Sequence, residues 1–228
     1  MRLDDVNARM ASAAARAGRD ASEITLIGVT KTVPTSKAEE FLQNGGAHLG
    51  ENRTQELLAK RDHLGSLGLM PTWHMIGRLQ TNKVRDIVGK VSLIHSVDSE
   101  KLGREISKTA ASLGIVQDVL VQVNISGEAQ KGGVPPEYTA EFTAILQAMP
   151  NIQPLGLMVV PPAVEAPEEN RYFFRKTNEL LIDIRASLKD NGLSILSMGM
   201  SGDFEVAIEE GATMIRLGST LFGERDYK

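Results

Sequence analysis

Lys31 stands at the end of an apolar run, Ile24-Thr25-Leu26-Ile27-Gly28-Val29-Thr30. A lysine amine at the mouth of such a strand sheds part of its hydration. Such desolvation can make the amine a nucleophile for a carbonyl carbon, although a lone lysine is more often a solvated surface residue. Far along the chain lie two turns of small and hydroxyl-bearing residues, Ser197-Met198-Gly199-Met200-Ser201-Gly202-Asp203 and Arg216-Leu217-Gly218-Ser219-Thr220. Small residues at a helix N-terminus let backbone amides approach a phosphate. Either turn alone reads first as a helix cap or an ordinary turn. The pair, each following an apolar run, favours a phosphate cradle. A ligand carrying both a carbonyl and a phosphate would then be held at two points, and pyridoxal phosphate and sugar phosphates both qualify. His48, His63, His74 and His95 form no closely spaced metal-binding pair. Three of them fall on strand candidates, where a hydrogen-bonded histidine inside the fold is favoured over a ligand.

The elements that must position these residues alternate along the chain. Short runs rich in Val, Ile and Leu occur at 24–30, 47–50, 72–77, 93–97, 119–125, 154–160, 195–199 and 213–217. Their continuous apolar character suits parallel strands covered on both faces. Helical patterns lie between them. Ser36 with Glu39, and Asn52 with Gln55, have capping-box spacing, and Asp98 stands where a helix cap is expected. Leu3, Val6, Met10 and Ala14 predict an extra helix before the first strand. Eight strand-then-helix units predict a single (β/α)8 barrel of the TIM type, α/β in class, spanning 1–228 with that N-terminal helix. Active residues of such barrels sit at the C-terminal ends of strands, and phosphate sites favour the loops after strands seven and eight. Lys31 and the two turns fall at those places. An open doubly wound sheet is the competing fold, but no Gly-rich fingerprint follows Thr30.

Composition removes other classes. The formal net charge is -4 and aromatic residues are 4% of the 228. Nucleic-acid binding normally needs a basic face or stacking aromatics. No apolar run approaches the roughly 20 residues of a membrane span. There is no cysteine, hence no disulfide or thiolate metal site. A cytoplasmic address is the default expectation.

At these residues the chain resembles the pyridoxal-phosphate homeostasis protein family, along nearly its whole length. The motifs are Val29-Thr30-Lys31-Thr32-Val33-Pro34, Leu49-Gly50-Glu51-Asn52, Trp73-His74-Met75-Ile76-Gly77-Arg78-Leu79-Gln80-Thr81-Asn82-Lys83, Val123-Asn124-Ile125 and Gly156-Leu157-Met158, then Ser197 to Asp203 and Ile215 to Thr220. The resemblance implies pyridoxal 5′-phosphate as cofactor, carried as a Schiff base on Lys31. It implies that Arg216 faces the pyridine nitrogen, and that Ser201, Gly218, Ser219 and Thr220 contact the phosphate. It places Asn52 beside the ring hydroxyl, where a helix cap is an equally good reading. Lys83 and Lys131 lie in family motifs without an assigned role. Two positions depart from the pattern: Arg53, often Tyr in the family, and Val159-Val160-Pro161, where a small or hydroxyl residue is common.

The family barrel is similar to the N-terminal domain of alanine racemase, and the end at Lys228 leaves no room for the racemase's second domain. A cation beside the pyridine nitrogen makes the cofactor a poorer electron sink. The expectation is therefore a monomer that buffers pyridoxal phosphate or delivers it to apo-enzymes, without efficient turnover. A weak racemase or lyase, and a Schiff-base aldolase of sugar phosphates, are the alternatives.

Overall fold

The computed structural model describes residues 3–128 and 131–223. Eight strands pair in chain order, all parallel, and β8 closes on β1. They are β1 Thr25–Val29, β2 His48–Glu51, β3 Thr72–Met75, β4 Leu93–Val97, β5 Gln117–Val123, β6 Ile152–Val159, β7 Ile195–Ser197 and β8 Met214–Leu217. The connecting helices are α2 Thr35–Gln43, α3 Thr54–Ser66, α4 Val84–Ile87, α5 Glu100–Leu113, α6 Thr139–Gln147, α7 Arg171–Leu188, α8 Phe204–Glu209 and α9 Ser219–Phe222, with α1 Leu3–Arg16 ahead of β1. This is the (β/α)8 barrel with an N-terminal helix that the alternation predicts. No helix among the described residues is long and apolar enough to cross a membrane.

Side chains alternate across each strand, so two cores form. Outward residues such as Leu49, Trp73, Ile94, Val119, Leu157 and Ile215 pack under the helices. Inside the barrel, Leu93, Leu120 and Met158 pack together with Leu155, Ile195 and Met214. Much of the rest of the interior is polar, as described below.

The N-terminal helix braces one part of this frame. Val6, Met10, Ala13 and Ala14 are its buried face. Arg9 pairs with Glu205 of α8 at 2.9 Å and lies over the Phe204 ring, while Arg16 pairs with Glu209 at 2.7 Å. The helix thus holds α8, and with it the turn from β7.

Helix starts differ from the capping signals. α2 begins at Thr35 behind Pro34, with no side-chain cap, so Ser36 lies inside it. Ser99, not Asp98, caps α5, its Oγ accepting from the Leu102 amide at 3.4 Å. α3 starts behind Arg53 with no side-chain cap, which frees Asn52 for another task.

Candidate cofactor-binding site

A cavity of about 730 Å³ opens at the C-terminal ends of the strands. Its lining includes Lys31 after β1, Asn52 after β2, Gly77 after β3, the β7 turn through Ser201, and Arg216, Gly218 and Ser219 from β8. The size fits a small ligand or cofactor, for which pockets of roughly 300–1,000 Å³ are usual. Lys31 and Arg216 are the only ionisable side chains on its wall among the described residues.

Lys31 sits on a turn tied down from three sides. The Val33 amide donates to the Thr30 carbonyl at 2.9 Å, and the Thr32 amide donates to Glu56 Oε2 at 3.1 Å. Lys60 Nζ, from α3, also donates to the Thr30 carbonyl. Thr32 has φ +60°, a left-handed conformation that a β-branched residue adopts only under constraint. Beneath the turn, Glu51 Oε1 accepts from Lys60 Nζ and from Thr30 Oγ1, both at 2.6 Å. Glu51 is fully buried, and burial is the main reason its carboxyl is pushed above the usual range despite those partners.

Asn52 reaches the cavity because Gly77 lets the β3 loop close on it. A Cβ at Gly77 would stand 2.3 Å from the Asn52 carbonyl oxygen. Asn52 Oδ1 is buried without a hydrogen-bond partner, an acceptor open to a ligand donor.

The two small-residue turns meet at Ser201. Its Oγ accepts from the Gly218 and Thr220 amides, each at 3.2 Å. The Thr220 hydroxyl donates to the Ser201 carbonyl at 3.3 Å. Thr220 is thus part of the cradle's frame without lining the cavity. Asp203 fixes the other side, accepting from the Met200 amide at 2.7 Å and from Asn170 Nδ2 at 2.8 Å. Gly199, at φ +89°, permits the bend, since a Cβ there would meet the Ala207 Cβ at 2.6 Å. α8 has six residues and α9 four, so amides and hydroxyls rather than long helix dipoles define the electrostatics here.

Arg216 forms part of the floor. It is 5% exposed, yet its two hydrogen bonds run to neutral acceptors, Ser197 Oγ at 2.7 Å and the Val159 carbonyl at 2.9 Å. Burial lowers its pKa to about 10, with Asp203 opposing, so it remains a cation at neutral pH. Behind it, Ser197 Oγ lies 2.9 Å from His95 Nδ1, His95 Nε2 3.0 Å from His74 Nδ1, and His74 Nε2 3.0 Å from His48 Nδ1. Burial, then the neighbouring imidazole, lowers His74 to about 3, and burial, His74 and Arg216 hold His95 well below the ordinary histidine value.

Acid sensitivity follows. In the unfolded chain these histidines titrate near 6.5. Below that pH the unfolded state binds protons that the fold refuses, so stability falls as pH falls. Two such groups cost about 3 kcal/mol per pH unit. Urea unfolding between pH 7 and 5.5 is expected to show this decline, and His95→Gln to lessen it. A flat profile in the wild type would contradict neutral buried histidines.

Of the residues singled out from sequence, Lys31, Asn52, Ser201, Arg216, Gly218 and Ser219 share this cavity. Lys83 and Lys131 do not line it. Lys83 pairs with Asp86 at 3.8 Å, and Lys131 with Glu128 at 2.6 Å while donating to the Pro161 carbonyl. Arg53 is exposed and pairs with Glu56, away from the cavity wall, whereas Val160 lines it. Sequence reasoning gives no role to the bond from Ser197 to Arg216, to the Glu51–Lys60 pair, or to the wall residues Val29 and Ile76. Period-two alternation carries the signal for most of them, because Ile27, Val29 and Lys31, or His48, Gly50 and Asn52, share one strand face.

The profile of the alanine racemase N-terminal domain matches residues 2–226. The pyridoxal phosphate homeostasis protein of Aquifex aeolicus is 50% identical over 226 residues, 99% of this chain and 98% of that protein. The Pseudomonas aeruginosa protein of the same name is 40% identical, covering 97% and 94%. The chain belongs to the pyridoxal phosphate homeostasis protein family. PipY of Synechococcus elongatus, whose structure has pyridoxal phosphate bound, superposes with a TM-score of 0.83 at 34% identity, over 96% of this chain and 100% of that one. Alanine racemase of Clostridium difficile superposes at 0.69 and 18% identity, over 100% of this chain and 58% of its own, and so shares the fold.

Proposed function

We propose that this family member binds pyridoxal 5′-phosphate in the cavity, held by a Schiff base to Lys31, and acts as a buffer that surrenders it to apo-enzymes. The observation that carries this is the wall itself: one amine, one guanidinium, and otherwise hydroxyls, amides and apolar side chains among the described residues. The amine is the nucleophile for the aldehyde, with loss of water. The turn of Ser201, Gly218 and Ser219, framed by Thr220, would take the phosphate. Asn52 Oδ1, unpartnered and buried, accepts from the ring hydroxyl. Arg216 has N–H donors and no acceptor, so a ring nitrogen facing it would stay unprotonated. Bound pyridoxal phosphate supplies an electrophilic carbon and, when its ring is protonated, an electron sink; Arg216 withholds the second. A racemase or lyase also needs an acid or base within reach of the substrate carbon. Beyond Lys31, the described cavity wall supplies none. The names of the relatives and the cofactor in PipY support the same reading. We further read the protein as a cytoplasmic monomer.

Loaded protein mixed with an apo-form of a pyridoxal-phosphate enzyme is the test. Recovery of that enzyme's activity, matched by loss of the donor's visible band, is expected, with alanine racemisation and serine deamination at background. Turnover of either amino acid well above background would replace the buffer with an enzyme.

A further inference from the structure

The polar half of the barrel interior has a direction. Arg216 Nη1 can only donate, so Ser197 Oγ must accept from it. The Ser197 hydroxyl is fully buried, and its own hydrogen has one acceptor among the described residues, His95 Nδ1. His95 then carries its proton on Nε2 and donates to His74 Nδ1. His74 in turn carries its proton on Nε2 and donates to His48 Nδ1. Every donor therefore points away from Arg216, and every acceptor end points toward it. His48, the first residue of β2, ends the chain half-buried at the N-terminal side of its strand. The reverse polarity would leave the Ser197 hydrogen buried without a partner, which costs more than a made bond returns.

We propose that Ser197, His95, His74 and His48 are positioning residues, a one-way hydrogen-bond chain that aims the Arg216 guanidinium into the cavity and supports its charge where no carboxylate is hydrogen-bonded to it among the described residues. Aligned hydrogen bonds polarise one another in a low-dielectric interior. The oxygen lone pair that Ser197 presents is made more negative by a hydroxyl donating to His95, which is itself polarised by donating onward. The neutral state of the imidazoles suits this role, since a charged histidine beside Arg216 would repel it. The fourth histidine, His63, is exposed on α3 and pairs with Glu39, outside the chain. The spectroscopic consequence rests on the pyridoxal-phosphate reading; the tautomers do not.

The test begins with cofactor-free, uniformly 15N-labelled protein and two-bond 15N–1H correlation of the imidazoles. His48, His74 and His95 are each expected as the Nε2–H tautomer. A proton on Nδ1 of His74 or His95 would overturn the chain. The second step adds pyridoxal phosphate to wild type, Ser197→Ala and Ser197→Thr. The alanine variant is expected to shift the visible band and weaken binding on the order of tenfold, the worth of a hydrogen bond to a charged group. The threonine variant, which keeps the hydroxyl, is expected to restore both. An alanine variant that is only less heat-stable, with band and affinity unmoved, would make Ser197 structural and overturn the proposal. A wild type without any band would sink the cofactor reading instead, and the tautomers would still decide this one.

Discussion

Lys31→Ala is expected to abolish the visible absorption band that pyridoxal phosphate forms with the wild-type protein, and to leave nothing for borohydride to trap. The variant keeps the rest of the cavity. Ser201 still gathers the Gly218 and Thr220 amides, and Arg216 is still anchored by Ser197 and Val159. Some cofactor should therefore bind without a covalent bond. Its affinity is expected to fall on the order of 100-fold, which corresponds to about 2.7 kcal/mol. The fold should hardly notice. Lys31 is only partly buried and no hydrogen bond of the described structure uses its amine, so the stability change belongs within about 0.5 kcal/mol. A band that survives in Lys31→Ala would mean that another lysine carries the aldehyde.

Lys60→Met tests what holds that lysine in place. Lys60 Nζ meets Glu51 Oε1 at 2.6 Å, 7% exposed against a partner that is fully buried, and it also supports the Thr30 carbonyl beside Lys31. Glu51 Oε2 has no hydrogen-bond partner already. Removing the cation leaves a buried carboxylate with only the Thr30 hydroxyl, a loss of about 3–5 kcal/mol for a broken buried pair. The pH dependence of the deficit has a definite sign. A carboxyl raised in the fold takes up its proton at a higher pH than the unfolded chain does. Its contribution to stability therefore grows as pH falls through the folded pKa. The Lys60→Met deficit should shrink toward acid, against the background decline set by the histidines. Glu51→Gln in the same chain should recover most of it at neutral pH, because no charge is then left unpaired. A loss below about 1 kcal/mol in urea unfolding would show that the pair adds little beyond packing.

Local signals made much of this molecule legible from sequence. Most strands are short apolar runs, and β4 spans 93–97 as the sequence predicts because turn residues bound it closely. Lys31 was visible because it ends such a run. The two small-residue turns are legible as a pair because each follows one of the last two apolar runs. Other features depend on pairs that only the closed barrel brings together. His95 and Ser197 are 102 residues apart and meet across the interior. Asn52 resembled a helix cap from its spacing, but the close approach allowed by Gly77 turns it to the cavity. Glu51 and Lys60, nine apart on a strand and the following helix, carry no local signal of their pairing. Their pairing needs α3 to lie flat against β2.

Reduction of the loaded protein with borohydride, followed by peptide mapping, tests the central claim most directly. The expected result is a single pyridoxyl group per chain, on the peptide containing Lys31, formed at stoichiometric cofactor. Modification on Lys83, on Lys131 or spread over surface lysines, with Lys31 left free, would contradict the site.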